Sequence, residues 1–211
     1  MGDVIVLADR RADRSRPTHG ARPSFFFDLG CPLSYLAAER VERVLGDVEW
    51  IPTAGAVLHG DSWSDAAAVR AHAETCAVAL RLPLVWPDRF PADTPGALRA
   101  AAHAAEIGAG SRFALAASRL AFCGGFDLED PEILAEAAAA SGIGLSACLA
   151  AAGDVSRDAE LHATARGLLA QGVRELPAIR VGHRLFHGDT ALAAAAMVLR
   201  SPAVADRPLV S

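Results

Sequence analysis

The sequence predicts an α/β fold: a mixed sheet with helices on both faces and a helical lid inserted into it. Three observations predict it. Strand-like apolar runs cluster near the two ends of the chain. The first reliable runs read strand, helix, strand, the unit that closes right-handed around a parallel pair. From about residue 64 to 174 the text is helical with almost no strand signal, and a hairpin and a last helix follow.

Composition agrees with one domain carrying an insertion. The chain has 211 residues, 52% apolar and 21% charged, enough to bury a sizeable core and unlike a disordered chain. Much of the apolar share is alanine, which favours helices but contributes little buried area per residue. The net charge of −5 and the lack of a basic stripe exclude nucleic acid as an expected partner. No apolar run approaches a membrane span, and the N-terminus lacks the pattern of a secretory signal, so a cytoplasmic protein is expected. Cys31, Cys76, Cys123 and Cys148 have no close pairing and should be free thiols in a reducing compartment.

Taken in order, Asp3–Ala8 (DVIVLA) reads as a short strand, and Asp9–Arg22 is an arm holding five arginines. The arm suits a solvated linker or mobile arm, with binding of an anionic partner as the alternative. Ser24–Asp28 is the first strong strand, and its three phenylalanines in a row predict burial on both faces. A helix from about Pro32 to Leu45 puts Leu33, Leu36, Ala37, Val41, Val44 and Leu45 on one side, pairs Glu39 with Arg43 on the other, and ends at Gly46. Val48–Pro52 is the second strand.

The helical part begins with Ser64–Leu80, followed by a proline-punctuated loop over Pro83–Pro95. Thr94 is expected to cap the next helix with Pro95 at its first position. Helices follow over Ser111–Cys123, from Asp130-Pro131 to Gly142, over Leu145–Ala152, and over about Ser156–Gln171. Pro177–Val181 and Arg184–His187 form a hairpin across Gly182-His183, and Asp189 should cap a final helix to Leu199. The expected division is a sheet domain of residues 1–61 and 157–211, with 1–23 as strand and arm, and a lid of residues 62–156.

Cys31 is the leading chemical candidate. It follows a strand, precedes Pro32 at a helix start, and meets unpaired N–H groups and the positive dipole end there. Such a position should lower a thiol pKa, and Ser34, one turn on, can donate to the sulfur. Pro177 is the second candidate: a cis bond there would bring its backbone close to Cys31. Trp86 and Phe90 either line an apolar substrate pocket or pack under the long loop. His72 with Cys76, and His183 with His187, have metal-pair spacing but no third ligand in sequence, so no metal is expected.

CPLS at a helix start, LPAIRV before a hairpin and a helical insertion between them resemble the thioredoxin-like DsbA family. FFFDLGCPLSYLAAERV and LRLPLVWPDRFPADTPGALRA are similar to its branch of 2-hydroxychromene-2-carboxylate isomerases and kappa-class glutathione transferases. The resemblance covers about residues 24–200 and implies a thioredoxin-like fold with an inserted all-helical domain. It also implies Cys31 and Ser34 as catalytic residues, with Pro32, Leu176, Pro177, Trp86 and Phe90 around the thiol and substrate. The expected cofactor is glutathione or another low-molecular-weight thiol. Three departures matter. Ser34 stands where a DsbA dithiol has its second cysteine, so a mixed disulfide at Cys31 needs an external thiol for release. Cys31 itself stands where the isomerase branch usually has serine, and Ala92-Asp93-Thr94 replaces its asparagine-rich stretch.

Three functions follow from these residues. The first is a monothiol oxidoreductase acting through Cys31. The second is a glutathione-dependent isomerase or transferase, and the third a non-catalytic binding module. The expected partners are a small-molecule thiol with an aromatic acid or a peptide disulfide, and the sequence leaves a homodimer open.

Overall fold

Phe25, Phe26 and Phe27 are each at most 3% exposed, the double-sided burial expected of a central strand. They lie in β1 (Ser24–Phe27) of a computed structural model that describes residues 22–59 and 65–200. The expected strand at Asp3–Ala8, all of the arginine arm but Arg22, and the C-terminal tail lie outside the described residues.

β1 pairs in parallel with β2 (Glu49–Pro52) and antiparallel with β3 (Ala178–Val181), which pairs antiparallel with β4 (Arg184–His187), so the order is β2-β1-β3-β4. Side chains alternate across a strand. Phe25 and Phe27 therefore face one way, where Trp50 meets both rings edge-on at 4.9 and 5.7 Å. Phe26 faces the other way and joins a smaller cluster with Cys31, Ala165, Leu168 and Leu176.

The expected single helix after β1 is two: α1 (Pro32–Ala38) and α2 (Val41–Leu45). Glu39 does not pair with Arg43. It reaches across the fold to Arg119, whose guanidinium donates two bonds to it at 2.6 and 2.7 Å. The break shifts the phase of α2, so Val44 is exposed instead of inward. A short helix not foreseen from the sequence, α3 (Gly55–His59), follows β2.

The inserted helical region follows as α4 (Ala66–Leu80), α5 (Pro95–Glu106), α6 (Gly110–Phe122), α7 (Pro131–Ser141) and α8 (Leu145–Gly153). Asp130 caps α7 through the Glu132 amide, and Gly142 ends it at φ 75°, where a side chain would be strained. A 3₁₀ turn leads into α9 (Asp158–Ala170), so this helix starts two residues later than expected. After the hairpin comes α10 (Ala191–Arg200). Leu192, Ala195 and Ala196 are buried in it as expected, and Leu199 is exposed. Among the described residues, no helix is long and apolar enough to cross a membrane.

Pro95 does open α5, but Thr94 makes no side-chain cap. The Glu129 carboxylate, coming from the α6–α7 connection, accepts the Gly96 and Ala97 amides at 3.0 and 3.2 Å and caps the helix instead. Local spacing cannot reveal a cap that arrives from over thirty residues away.

Candidate active site

β1 ends at Phe27, and the next residue organises the turn. The Asp28 carboxylate accepts the Gly30 amide and the Gly55 amide, each at 2.7 Å, joining the β1–α1 turn to the start of α3. The Asp28 carbonyl accepts the Cys31 amide at 3.2 Å, and the Asp28 amide donates to Ser34 Oγ at 3.3 Å. Gly30 is needed here for close approach: a Cβ would stand 2.7 Å from the Ala92 carbonyl oxygen. The loop of the helical region thus rests directly on the turn.

Cys31 occupies the N-cap of α1, with extended backbone and Pro32 at the first helical position, as expected. Its thiol is 2% exposed and donates to the Leu176 carbonyl at 3.5 Å. The Leu176–Pro177 bond is cis, and the Pro177 carbonyl accepts the Gly188 amide at 2.9 Å. The fold therefore brings Cys31, Ser34, Leu176 and Pro177 together from opposite ends of the chain.

The expected activation of the thiol is not met. The Ser34 hydroxyl and the amides of Ser34 and Leu33 do lower its pKa, but burial and the Asp28 charge raise it more, to about 11. Removing the thiolate from water outweighs the helix start.

Asp28 is not among the sequence candidates, although an acidic residue directly after FFF is a visible signal. Burial pushes its carboxyl up to about 6, even against the two amides it accepts; the Asp93 charge adds to the rise. It lines a cavity of about 420 Å³ with Ala54, Pro91, Thr94, Leu98 and His162. That volume falls in the range of small-molecule sites, about 300–1,000 Å³. The Thr94 hydroxyl is buried without a hydrogen-bond partner among the described residues, which suits a wall awaiting a polar ligand. A larger hollow of about 650 Å³ lies between β2 and α9. It holds none of Cys31, Ser34 or Leu176, and Arg157 and Glu106 in its wall pair with each other.

Trp86 and Phe90 stand apart from this cavity. Their rings pack at 4.6 Å under Arg70, which lies 5.0 and 5.3 Å from the two ring centres. The Trp86 indole donates to Glu74 at 2.8 Å. Phe90 also borders a small hollow with Gly30, Ala92 and Thr94. All four cysteines are free thiols.

No curated protein sequence matches the chain. Solved structures do. The structure of a 2-hydroxychromene-2-carboxylate isomerase superposes with a TM-score of 0.71 at 15% identity, over 88% of this chain and 99% of that one. A probable DsbA oxidoreductase from Streptomyces coelicolor gives 0.67 at 18%, over 92% and 94%. At these identities the likeness shows the fold, a thioredoxin-like sheet with an inserted helical region. The family model of the DSBA-like thioredoxin domain matches residues 24–200, which takes in all four described strands, the Cys31 turn and the inserted helices. The chain belongs to the DSBA-like thioredoxin domain family.

Proposed function

We propose that the protein is an enzyme of small-molecule thiol chemistry, a glutathione-dependent isomerase or transferase in which the working sulfur belongs to a bound thiol. The observation that carries this reading is the state of Cys31. It is buried and already hydrogen-bonded to Leu176, and that burial pushes its thiol pKa up. Ser34 gives it no resolving partner, so a disulfide formed at Cys31 could not be released within the chain.

The rest of the site suits a bound thiol and a second small molecule. The start of α1 offers N–H groups and a positive dipole end to an anionic sulfur. The Cys31 S–H, turned from Leu176, can donate to that sulfur. Asp28, with a pKa near 6, can hold or give up a proton at working pH beside the cavity. In this reading the thiolate adds to an electrophilic carbon of the substrate, and the same bond breaks later to restore the thiol. The name of the isomerase relative fits such a substrate, a small aromatic acid. Four free thiols fit a reducing, cytoplasmic setting.

A monothiol oxidoreductase acting through Cys31 is the second reading. It is favoured by the Ser34 hydroxyl and the Leu33 and Ser34 amides, which all face Sγ and would stabilise its anion once water reached it.

The test is Cys31→Ser assayed with glutathione on 2-hydroxychromene-2-carboxylate and in parallel on a model disulfide. Isomerase turnover kept or raised in the variant, with no disulfide turnover in either protein, supports the proposal. Disulfide turnover that vanishes in Cys31→Ser overturns it for the second reading.

A further inference from the structure

His72 and Cys76 sit one turn apart on α4, and the fold supplies the third donor that their sequence neighbourhood lacks. Asp189, 113 positions after Cys76 and two residues before α10, brings a carboxylate oxygen to 3.3 Å from His72 Nε2. Cys76 Sγ lies 3.8 Å from the same nitrogen. All three donor atoms fall within 4.8 Å of one another. The carboxylate expected to cap α10 is thus turned toward α4, and the Ala191 amide that opens the helix donates to the Gly188 carbonyl at 3.2 Å.

The shared nitrogen decides what this cluster is suited to. A Cys-His-Asp relay needs the two imidazole nitrogens on opposite partners, one toward sulfur and one toward the carboxylate. Here Nε2 alone faces both. One nitrogen cannot donate to the carboxylate and accept from the thiol at once. Three lone-pair atoms converging on one point are satisfied together by a cation. Zinc bonds of about 2.0–2.1 Å to nitrogen or oxygen and about 2.3 Å to sulfur, at tetrahedral angles, set donors roughly 3.4–3.6 Å apart. The His72–Asp189 and His72–Cys76 separations, 3.3 and 3.8 Å, bracket that spacing.

We propose that His72 Nε2, Cys76 Sγ and Asp189 Oδ2 form a binding site for a borderline-soft divalent cation, zinc above all, that ties the helical region to the segment beside Pro177. Imidazole with thiolate selects zinc over magnesium or calcium. Cys76 releases its proton to solvent as the metal binds. His72 and Asp189 are both well exposed, so the fourth position opens to water or an outside ligand. The tie has a location with consequences: Asp189 follows Gly188, whose amide is bonded to the Pro177 carbonyl next to Leu176 and Cys31.

The experiment uses the full chain, stripped with a chelator and kept reduced. Zinc is titrated in competition with a chromophoric chelator. Cobalt(II) is added separately as a spectroscopic probe, and magnesium serves as the negative arm. One zinc per chain is expected, with no response to magnesium. Cobalt should show the intense visible bands of a tetrahedral site and a near-ultraviolet sulfur-to-metal band. Cys76→Ser should abolish the sulfur band, whereas Cys31→Ser and Cys123→Ser should keep it. His72→Ala and Asp189→Asn should each weaken zinc by about tenfold or more, at least the loss that even an outer partner causes. Circular dichroism checks that each variant is folded; His72 and Asp189 are exposed and should tolerate the changes, and Cys→Ser is nearly isosteric. No zinc bound at micromolar concentrations, or a sulfur band that survives Cys76→Ser, overturns the site.

Discussion

The Sγ of Cys31 lies 3.5 Å from the carbonyl oxygen of Leu176, joining two residues 145 positions apart. The hydrogen bond occupies the backbone oxygen beside the cis peptide, while burial of the sulfur pushes the thiol pKa up.

Alkylation of Cys31 should therefore be slow at pH 7–8 and rise only in strongly alkaline solution. The expected midpoint is above about 10, against about 8.5 for an unperturbed thiol. Ser34→Ala should move it higher still, since the Ser34 hydroxyl lowers the thiol pKa. Iodoacetamide rates followed by mass spectrometry of the Cys31 peptide give the profile. A midpoint below about 8 would contradict the buried, neutral thiol.

Asp28 should leave a signature in the pH dependence of stability. Its folded pKa, about 6, lies above its ordinary value of 3.8. Between those values the folded chain holds a proton that the unfolded chain has released, so stability falls as pH rises. The contribution is full below pH 3.8 and is lost by about pH 6–7. Compared with Asp28→Asn, the wild type should lose about 1–3 kcal/mol of relative stability between pH 4 and pH 7. Urea unfolding of both proteins across that range measures it, and parallel curves would refute the raised pKa.

Removing the Glu129 cap should loosen α5. Glu129→Ala frees the Gly96 and Ala97 amides and is expected to cost about 0.5–2 kcal/mol, the usual range for a lost cap. Glu129→Gln keeps an acceptor oxygen and should lose less. Thr94→Ala should be almost neutral for stability, because the Thr94 hydroxyl makes no cap bond. Denaturation midpoints of the three variants decide between the two candidate caps.

These assignments show what the sequence could and could not convey. The phenylalanine strand, Pro32, the Asp130 cap and the Gly182 hairpin turn were legible because each is set by residues within a few positions. The partners of Glu39, Glu129 and Asp189 were not, since each meets a group brought in by the tertiary fold. Cys31 is the sharpest case. Its helix-start position was readable, but the desolvation that outweighs it comes from Leu176, Phe26 and their neighbours in the second cluster.

Arg99 forms the joint among three helices. Its guanidinium donates two bonds of 2.7 Å to Asp158 and one of 3.1 Å to the Ala152 carbonyl, while only 14% of the side chain is exposed. Asp158→Asn should cost about 1–3 kcal/mol by leaving the cation under-bonded. Arg99 holds the Asp158 carboxyl below its ordinary value of 3.8. The pair therefore contributes above that value, and its contribution fades as pH falls through the lower, folded one. A wild-type advantage over Asp158→Asn that shrinks on acidification, measured by thermal unfolding, is the expected outcome.

Phe25 and Tyr35 share one continuous cluster with Phe113, Ala137 and Cys148, so the face of the sheet and the interior of the inserted helices are the same hydrophobic body. The insertion is not a detachable cassette. Excising it would strip the cover from β1 and α1, and grafting another lid would require a matching surface beneath it. Sheet and lid should then melt in one cooperative transition, and a change of packing on the helical side has to be accommodated by the residues that build the sheet.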